Sequence, residues 1–284
     1  IGPNADSRKA LVGNYEGTSS RYITVLEGIE DYVGENVRVL YSEGCHLYRD
    51  RTSNLAMEHD RDSEVRAVCE ASDVVIAVVG LDATLEGEEG DTGNEYGSGD
   101  KPNLNLPGLQ PDIIRIAKES GKPVIVVLLA GSAMALSWED EHVDAILDGF
   151  YPGAQGGAAI AEILFGGANP EGKLPITFYQ TTEELPEFTD YAMKGRTYRY
   201  MENEALYPFG YGLSYTTYAY GNLECVKPFD AQDGITLQVT VTNTGDREGT
   251  ETLQVYVKAK REGTPNPQLK YVKKITKRKG DAGV

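Results

Sequence analysis

An acidic loop carries the residue types best suited to chemistry. Four carboxylates fall within six residues of the chain: Glu86, Glu88, Glu89 and Asp91. Carboxyl groups this close raise one another's pKa values, and a general acid that works near neutral pH needs such a raised pKa. About 20 residues of non-regular chain separate Gly80 from Leu106, a length typical of functional loops. A solvated acidic loop and an adventitious calcium site are the alternatives that the spacing leaves open.

The segments around this loop predict the sheet that must position it. Four runs have strand length and composition: Val37–Tyr41, Asp73–Gly80, Pro123–Ala130 and Ala145–Gly149. Helical spacing marks three further segments: Asp60–Ala71, Pro111–Ser120 and Ala158–Phe165. The alternation predicts an α/β fold over residues 1–180, with a mostly parallel sheet sandwiched by helices. The acidic loop leaves the carboxyl end of a buried strand, where such sheets bind their ligands.

The period of the apolar residues changes to two after about residue 222. Ile235 to Val241 and Leu253 to Val257 alternate with polar neighbours on either side of a turn signal at Asn243, which predicts an antiparallel hairpin with one buried face. Roughly 60 residues are too few for a complete sandwich of about 100, so we expect a small, incomplete antiparallel β-sandwich over residues 222–284. Its basic tail, Lys270 to Lys279, is expected to form a solvated edge strand. The Tyr- and Gly-rich residues 181–221 are expected to be an ordered connector.

Charge and composition restrict the classes of partner. The net charge is −17, divided into −20 for residues 1–221 and +3 for residues 222–284. A surface this acidic repels nucleic acid and anionic membranes and suits a neutral ligand. No apolar run approaches the roughly 18–20 residues that a membrane helix needs. The chain opens without Met, so the compartment, cytoplasmic or secreted, stays open.

Other candidate residues are weaker. Cys45, Cys69 and Cys225 form an odd set without metal-ligand spacing, so neither a disulfide framework, a metal site nor a cofactor is expected. Gly131-Ser132 follows a strand but lacks the Gly-x-Ser-x-Gly pattern, which favours a tight turn over a nucleophile. The glycines of Pro152–Gly157 favour close helix–strand packing over a phosphate cradle.

Ile1–Asp6 opens the chain, and Leu85–Glu89 and Leu106–Gln110 lie at the two ends of the acidic loop. These and other segments along nearly the whole chain resemble those of the glycoside hydrolases of family three. Ile1–Asp6 resembles the start of that family's second, α/β sandwich domain, and Gly13–Gly17 with Thr24–Gly28 resembles its xylosidase-like branch. Leu85–Glu89 with Leu106–Gln110 is similar to the loop that bears the acid/base. Further signature-like segments are Tyr151–Phe178, Gly195–Tyr200 and Tyr207–Tyr215, while Val239–Gly245 and Gln254–Tyr256 look like the fibronectin-III-like third domain.

The resemblance implies a retaining, exo-acting β-glycosidase that hydrolyses terminal β-xylosides or β-glucosides of plant-derived oligosaccharides. Glu88 stands where related loops carry the acid/base, two residues after a first Glu. An insertion, Gly90 to Gly99, replaces the Asp-Arg that usually follows, so Glu86 and Glu89 stay open as alternatives. Glu86 and Asp91 are also expected to contact the substrate.

The same resemblance implies that this chain carries only half of the catalytic pair. The nucleophilic Asp of such enzymes belongs to an N-terminal barrel, and no segment here resembles a barrel. We therefore expect the chain by itself to be inactive, with a β-linked carbohydrate and the N-terminal barrel of the same enzyme as its partners. The oligomeric state stays open.

Two functions of other classes compete with this hypothesis. The isolated chain could be a non-catalytic carbohydrate-binding or structural module, which would bind xylose or glucose oligomers without hydrolysing them. A flavodoxin-like nucleotide-binding domain is the other candidate, although the sequence lacks a phosphate loop.

Overall fold

The chain divides into two compact units. The computed structural model describes residues 1–87, 101–230, 232, 234–260 and 263–283. The first unit comprises Ile1–Phe165 and Phe178–Asp190. The second comprises Gly166–Thr177 and Tyr191–Val284.

A parallel three-stranded sheet lies at the centre of the first unit. Its strands are β1 (Val75–Gly80), β2 (Val124–Leu129) and β3 (Ala145–Asp148), in the order β1-β2-β3. Nearly every residue of β1 and β2 is buried, as their continuous runs of β-branched and aliphatic residues predict. Three of the four predicted strands are thereby confirmed.

Helices flank this sheet. They are α1 (Val25–Val33), α2 (Asp62–Glu70), α3 (Gln110–Glu119), α4 (Ser137–His142) and α5 (Gly156–Leu164). The apolar side chains of α1 and α5 share one core with alternate residues of the sheet: Val25, Ile29, Ile160 and Ala161 with Val78, Val127 and Leu129. Helix α3 packs against both β1 and β2. The α/β fold with a mostly parallel sheet is confirmed, and so are the three predicted helices, now seen as α2, α3 and α5.

The prediction of a strand over Val37–Tyr41 is wrong, because these residues form no strand. A strand needs a partner, and the place beside β1 is taken by the first residues of the chain. Ile1 N–H donates to the Ile76 carbonyl at 2.9 Å, and Val78 N–H donates to the Ile1 carbonyl at 2.9 Å. The segment that follows Tyr41 meets these residues through one bond, from Gly2 N–H to the Ser42 carbonyl at 3.1 Å.

The second unit is mainly antiparallel. After α6 (Thr197–Tyr200) come β4 (Tyr218–Asp230), β5 (Gly234–Asn243), β6 (Gly249–Val257), β7 (Gln268–Lys277) and β8 (Ala282–Gly283). One sheet has the order β4-β5-β8, and the other pairs β6 with β7. The predicted edge strand at the basic tail is confirmed as β7, which, among the residues that the structure describes, pairs with β6 alone in a sheet of two strands. The fibronectin-III-like character of this unit stays a prediction.

The predicted hairpin between the two alternating segments is wrong. β5 pairs with β4 and β8, whereas β6 belongs to the other sheet, because alternation specifies a face and not a strand's neighbour. The expected buried face is also incomplete. Val241 is fully buried, but the side chains of Ile235 and Leu237 are 51% and 41% exposed.

Candidate functional site

Glu86 lies at the point where the loops that follow all three parallel strands meet. Its own loop follows β1, Gly131 and Ser132 follow β2, and Tyr151 follows β3. The Glu86 Oε2 atom accepts a hydrogen bond from Gly131 N–H at 2.7 Å and another from the Tyr151 hydroxyl. The Oε1 atom accepts a hydrogen bond from the Ser132 hydroxyl. The carboxyl ends of the strands thus converge on one carboxylate, as expected for a ligand site in such a sheet.

A tight turn brings Glu86 to this place. The Asp82 carbonyl accepts from Leu85 N–H at 3.0 Å and from Glu86 N–H at 3.1 Å. The buried Asp82 carboxylate closes the turn by accepting from Thr84 N–H at 2.8 Å and from the Thr84 hydroxyl at 2.5 Å. Leu85 is 1% exposed and anchors the turn in the core. These contacts fix the chain from the end of β1 to Glu86.

Gln110, at the start of α3, fixes the origin of the loop. Its Oε1 atom accepts from Gly80 N–H at 2.7 Å, and its Nε2 atom donates to the Gly80 carbonyl at 2.9 Å and to the Leu47 carbonyl at 2.6 Å. Gln110 is fully buried, so its amide supplies partners for backbone groups that water does not reach. Gly80 has a φ of +135°, and a Cβ there would stand 2.1 Å from the Leu129 carbonyl oxygen.

Tyr151 and Gly131 pack closely around Glu86. A Cβ on Gly131 would lie 2.8 Å from the Tyr151 ring and 3.3 Å from Glu86 Oε2, so a larger residue there would force these side chains to shift. Burial of the phenol, followed by the charge of Glu86, raises the pKa of Tyr151 above its usual value. The Tyr151 hydroxyl therefore keeps its proton and serves as a donor.

Two further titratable groups belong to the surroundings of the site. Burial lowers the pKa of the Lys101 ammonium to about 8, while the negative charge of Glu86 acts in the opposite direction. Lys101 donates to the Asn103 carbonyl. At the carboxyl end of β3, burial raises the pKa of Asp148 to about 6, although a 3.0 Å hydrogen bond from Phe150 N–H opposes the shift.

The structure brings one of the four acidic candidates into contact with its surroundings. Glu86 contacts the three donors described above, whereas Glu88, Glu89 and Asp91 lie outside the described residues. Sequence patterns did not identify Ser132 and Tyr151 as partners of Glu86. The available signal was their position, because Ser132 comes three residues after β2 ends and Tyr151 three residues after β3 ends.

Other candidates have structural surroundings. Gly157 permits a close approach, as expected, but its neighbour is the Thr24 carbonyl ahead of α1, which a Cβ would meet at 1.8 Å, rather than a strand. Trp138 stacks on His142 with ring centres 4.3 Å apart. Within the described part of the chain, no group of His, Cys, Asp and Glu could hold a metal ion. In the same residues, no helix is long and apolar enough to span a bilayer.

Comparison with known proteins decides the family. The model of the glycosyl hydrolase family 3 C-terminal domain matches residues 1–215, three quarters of the chain. The chain belongs to glycosyl hydrolase family 3. It therefore contains the C-terminal domain of the β-glucosidase and β-xylosidase type of glycoside hydrolase.

Individual relatives agree with this assignment. A periplasmic β-glucosidase of Salmonella typhimurium is 36% identical over 99% of this chain and 40% of its own length. A xylan 1,4-β-xylosidase of Xylanibacter ruminicola is 47% identical over 65% of this chain and 21% of its own length. The solved structure of a β-glucosidase from Erythrobacter marinus matches 99% of this chain with a TM-score of 0.82 and 30% identity, again over 40% of its length. The chain spans less than half of the length of each.

Proposed function

We propose that this chain supplies the general acid/base of a retaining, exo-acting β-glycosidase acting on terminal β-xylosides or β-glucosides of plant-derived oligosaccharides. Family membership supports the reaction class, and the meeting of three strand-end loops at Glu86 supports the position of the site. The xylosidase relative, with the highest identity of the three compared, favours xylosides. Within this proposal the substrate is a β-linked sugar and the nucleophilic Asp comes from an N-terminal barrel of the same enzyme.

In this mechanism Glu88 protonates the glycosidic oxygen and later removes a proton from the attacking water. A retaining glycosidase needs a second carboxylate about 5–5.5 Å away, on the other side of the scissile bond. Residues of one short loop cannot flank a sugar from both sides, so the nucleophile must come from another part of the enzyme. The acidic surface of the chain does not oppose this function, because the substrate is uncharged.

The proposal is tested by Glu88→Ala in the full-length enzyme. For alkyl xylosides, whose leaving groups need protonation, kcat/KM is expected to fall about 10²–10⁴-fold, while activated aryl xylosides still form the glycosyl-enzyme. Azide needs no base to attack, so it should restore turnover of aryl xylosides and yield the β-xylosyl azide. The charge-matched Glu35→Gln, at an exposed position, serves as control. Unchanged activity of Glu88→Ala on both substrate classes would refute the role.

A further inference from the structure

The three hydrogen bonds to Glu86 use both of its carboxylate oxygens. Gly131 and Tyr151 donate to Oε2, and Ser132 donates to Oε1. All three donors are uncharged and belong to the described loops that follow β2 and β3. Each carboxylate oxygen therefore already accepts at least one hydrogen bond from a neighbouring loop, and Oε2 accepts two. The geometry is that of an acceptor that two neighbouring loops hold in place.

Two of these donors keep their protons and stay donors to Glu86. A backbone N–H such as that of Gly131 can only donate, and burial together with the Glu86 charge raises the pKa of Tyr151, so its hydroxyl keeps its proton. The donors come from segments 45 and 65 residues further along the chain than Glu86. Glu86 therefore ties three loops together at the edge of the sheet, and the turn from Asp82 makes the connection to β1 short.

The hydrogen bonds of Glu86 bear on catalysis because Glu86 is close in sequence to the proposed acid/base. Glu86 precedes Glu88 by two residues, and a two-residue stretch of chain reaches at most about 7 Å. A general acid must lie within hydrogen-bonding distance of the oxygen that it protonates, and a displacement of about 1 Å can cost roughly 100-fold in rate. Fixing Glu86 thus limits where the acid/base can stand.

We infer that Glu86 is a positioning residue that fixes the acid/base loop against the loops after β2 and β3, and that it neither donates the catalytic proton nor contacts the sugar. The inference rests on the proposed function. It narrows the choice of acid/base from three glutamates to Glu88 and Glu89, and it gives Ser132 and Tyr151 a supporting role as the donors that hold Glu86.

The test compares Glu86→Ala with Glu88→Ala in the full-length enzyme. Glu86→Ala is expected to lower kcat/KM for alkyl xylosides about 100-fold. It should keep the alkaline limb of the pH profile, because the titrating acid is still present, and azide should neither raise its turnover nor give xylosyl azide. Glu86→Gln, whose amide oxygen can still accept, should lose only about tenfold. Azide rescue of Glu86→Ala together with loss of its alkaline limb would overturn the inference.

Supporting variants keep the test valid if Glu86→Ala fails to fold. Ser132→Ala and Tyr151→Phe each remove one donor, and each should lower kcat/KM a few-fold to tenfold without azide rescue. Tyr151→Phe should lower kcat/KM less in the Glu86→Gln variant than in the wild-type enzyme, because the two residues act through one contact. If the effects of Glu86→Gln and Tyr151→Phe on kcat/KM were strictly additive, the inferred coupling between the two residues would be wrong. A full-length enzyme in which neither Glu86→Ala nor Glu88→Ala alters glycoside hydrolysis would instead refute the proposed function.

Discussion

Glu86 in the first unit and Asn243 in the second both collect hydrogen bonds from distant segments, but in different ways. The Asn243 Oδ1 atom accepts from the Thr216 hydroxyl at 2.7 Å and from Gly245 N–H at 3.0 Å. Its Nδ2 atom donates to the carbonyls of Arg247 at 2.7 Å and Lys277 at 2.9 Å. The amide is 1% exposed and has no donor or acceptor left for a ligand.

Glu86, in contrast, is only partly buried, carries an ionisable group and stands where parallel strands end. The comparison distinguishes two uses of a polar side chain in the same molecule. A buried amide with every group satisfied stabilises the fold. In the account proposed here, a partly exposed carboxylate beside an acidic loop organises a site. Mutations at the two positions should therefore separate stability from activity.

The largest expected effect on stability is that of Asn243→Ala. Removing the amide leaves two donors and two carbonyls without their partners, so the free energy of unfolding should fall by about 2–4 kcal/mol. The folded fraction should keep its kcat/KM. Urea unfolding and kinetics of the full-length enzyme measure the two quantities, with the exposed Asn54→Ala as control. If Asn243→Ala lowered kcat/KM without lowering the stability, Asn243 would not differ from Glu86 in the way described here.

Gln110→Met should combine both kinds of effect. Methionine keeps much of the volume but leaves the buried N–H and carbonyl groups of Gly80 unpaired, which should cost about 2 kcal/mol of stability. Because Gly80 is the origin of the loop that carries Glu86, kcat/KM should also fall, by roughly tenfold. Unfolding and kinetic assays of one preparation check this. Full activity in the folded enzyme would show that the loop does not depend on its anchor at Gly80.

Asp148→Asn should produce the smallest effect, and one that depends on pH. Burial raises the pKa of Asp148 to about 6 from 3.8, so the folded state holds the proton more tightly than the unfolded chain does. Stability from this group is complete below about pH 4 and is lost as pH rises through about 6. The Oδ2 atom is buried and has no hydrogen-bond partner among the described residues.

The variant should therefore be more stable than the wild type at pH 7, by about 1 kcal/mol, and should match it or fall below it at pH 4. The stability difference between the two proteins, measured by urea unfolding from pH 4 to 7, should change mainly between pH 4 and 6. A difference that does not vary with pH would show that Asp148 is not held in the buried state described here.

Local sequence patterns predicted the parallel sheet because strands buried on both faces leave continuous apolar runs. They failed where the structure of a segment depends on which distant strand it pairs with. Val37–Tyr41 has strand composition, but Ile1 and its neighbours occupy the edge of β1. The alternation of β5 and β6 was seen, yet each strand pairs elsewhere. Helix α1 was not predicted, although its capping box, with Thr24 and Glu27, is a local signal.

The site was predictable only in part for the same reason. The acidic loop at the end of a buried strand identified Glu86 and its neighbours as candidates. Sequence patterns single out Ser132 only as a candidate nucleophile, and Tyr151 only as part of a segment that resembles the family. Their role depends on contacts across 46 and 65 residues of chain, which no local spacing reveals. The rule that parallel strands end at one edge would have grouped them with Glu86.

The central claim is that this edge of the sheet presents an acid/base to a sugar. The most direct measurement is a crystal structure of the full-length enzyme with a thio-linked xylobiose, in which sulfur replaces the scissile oxygen and prevents hydrolysis. The account predicts a Glu88 carboxyl oxygen within about 3.5 Å of that sulfur, with Glu86 still bound to Ser132 and Tyr151. A sugar bound with Glu86 at the sulfur, or with every glutamate of the loop more than about 8 Å from it, would contradict the claim.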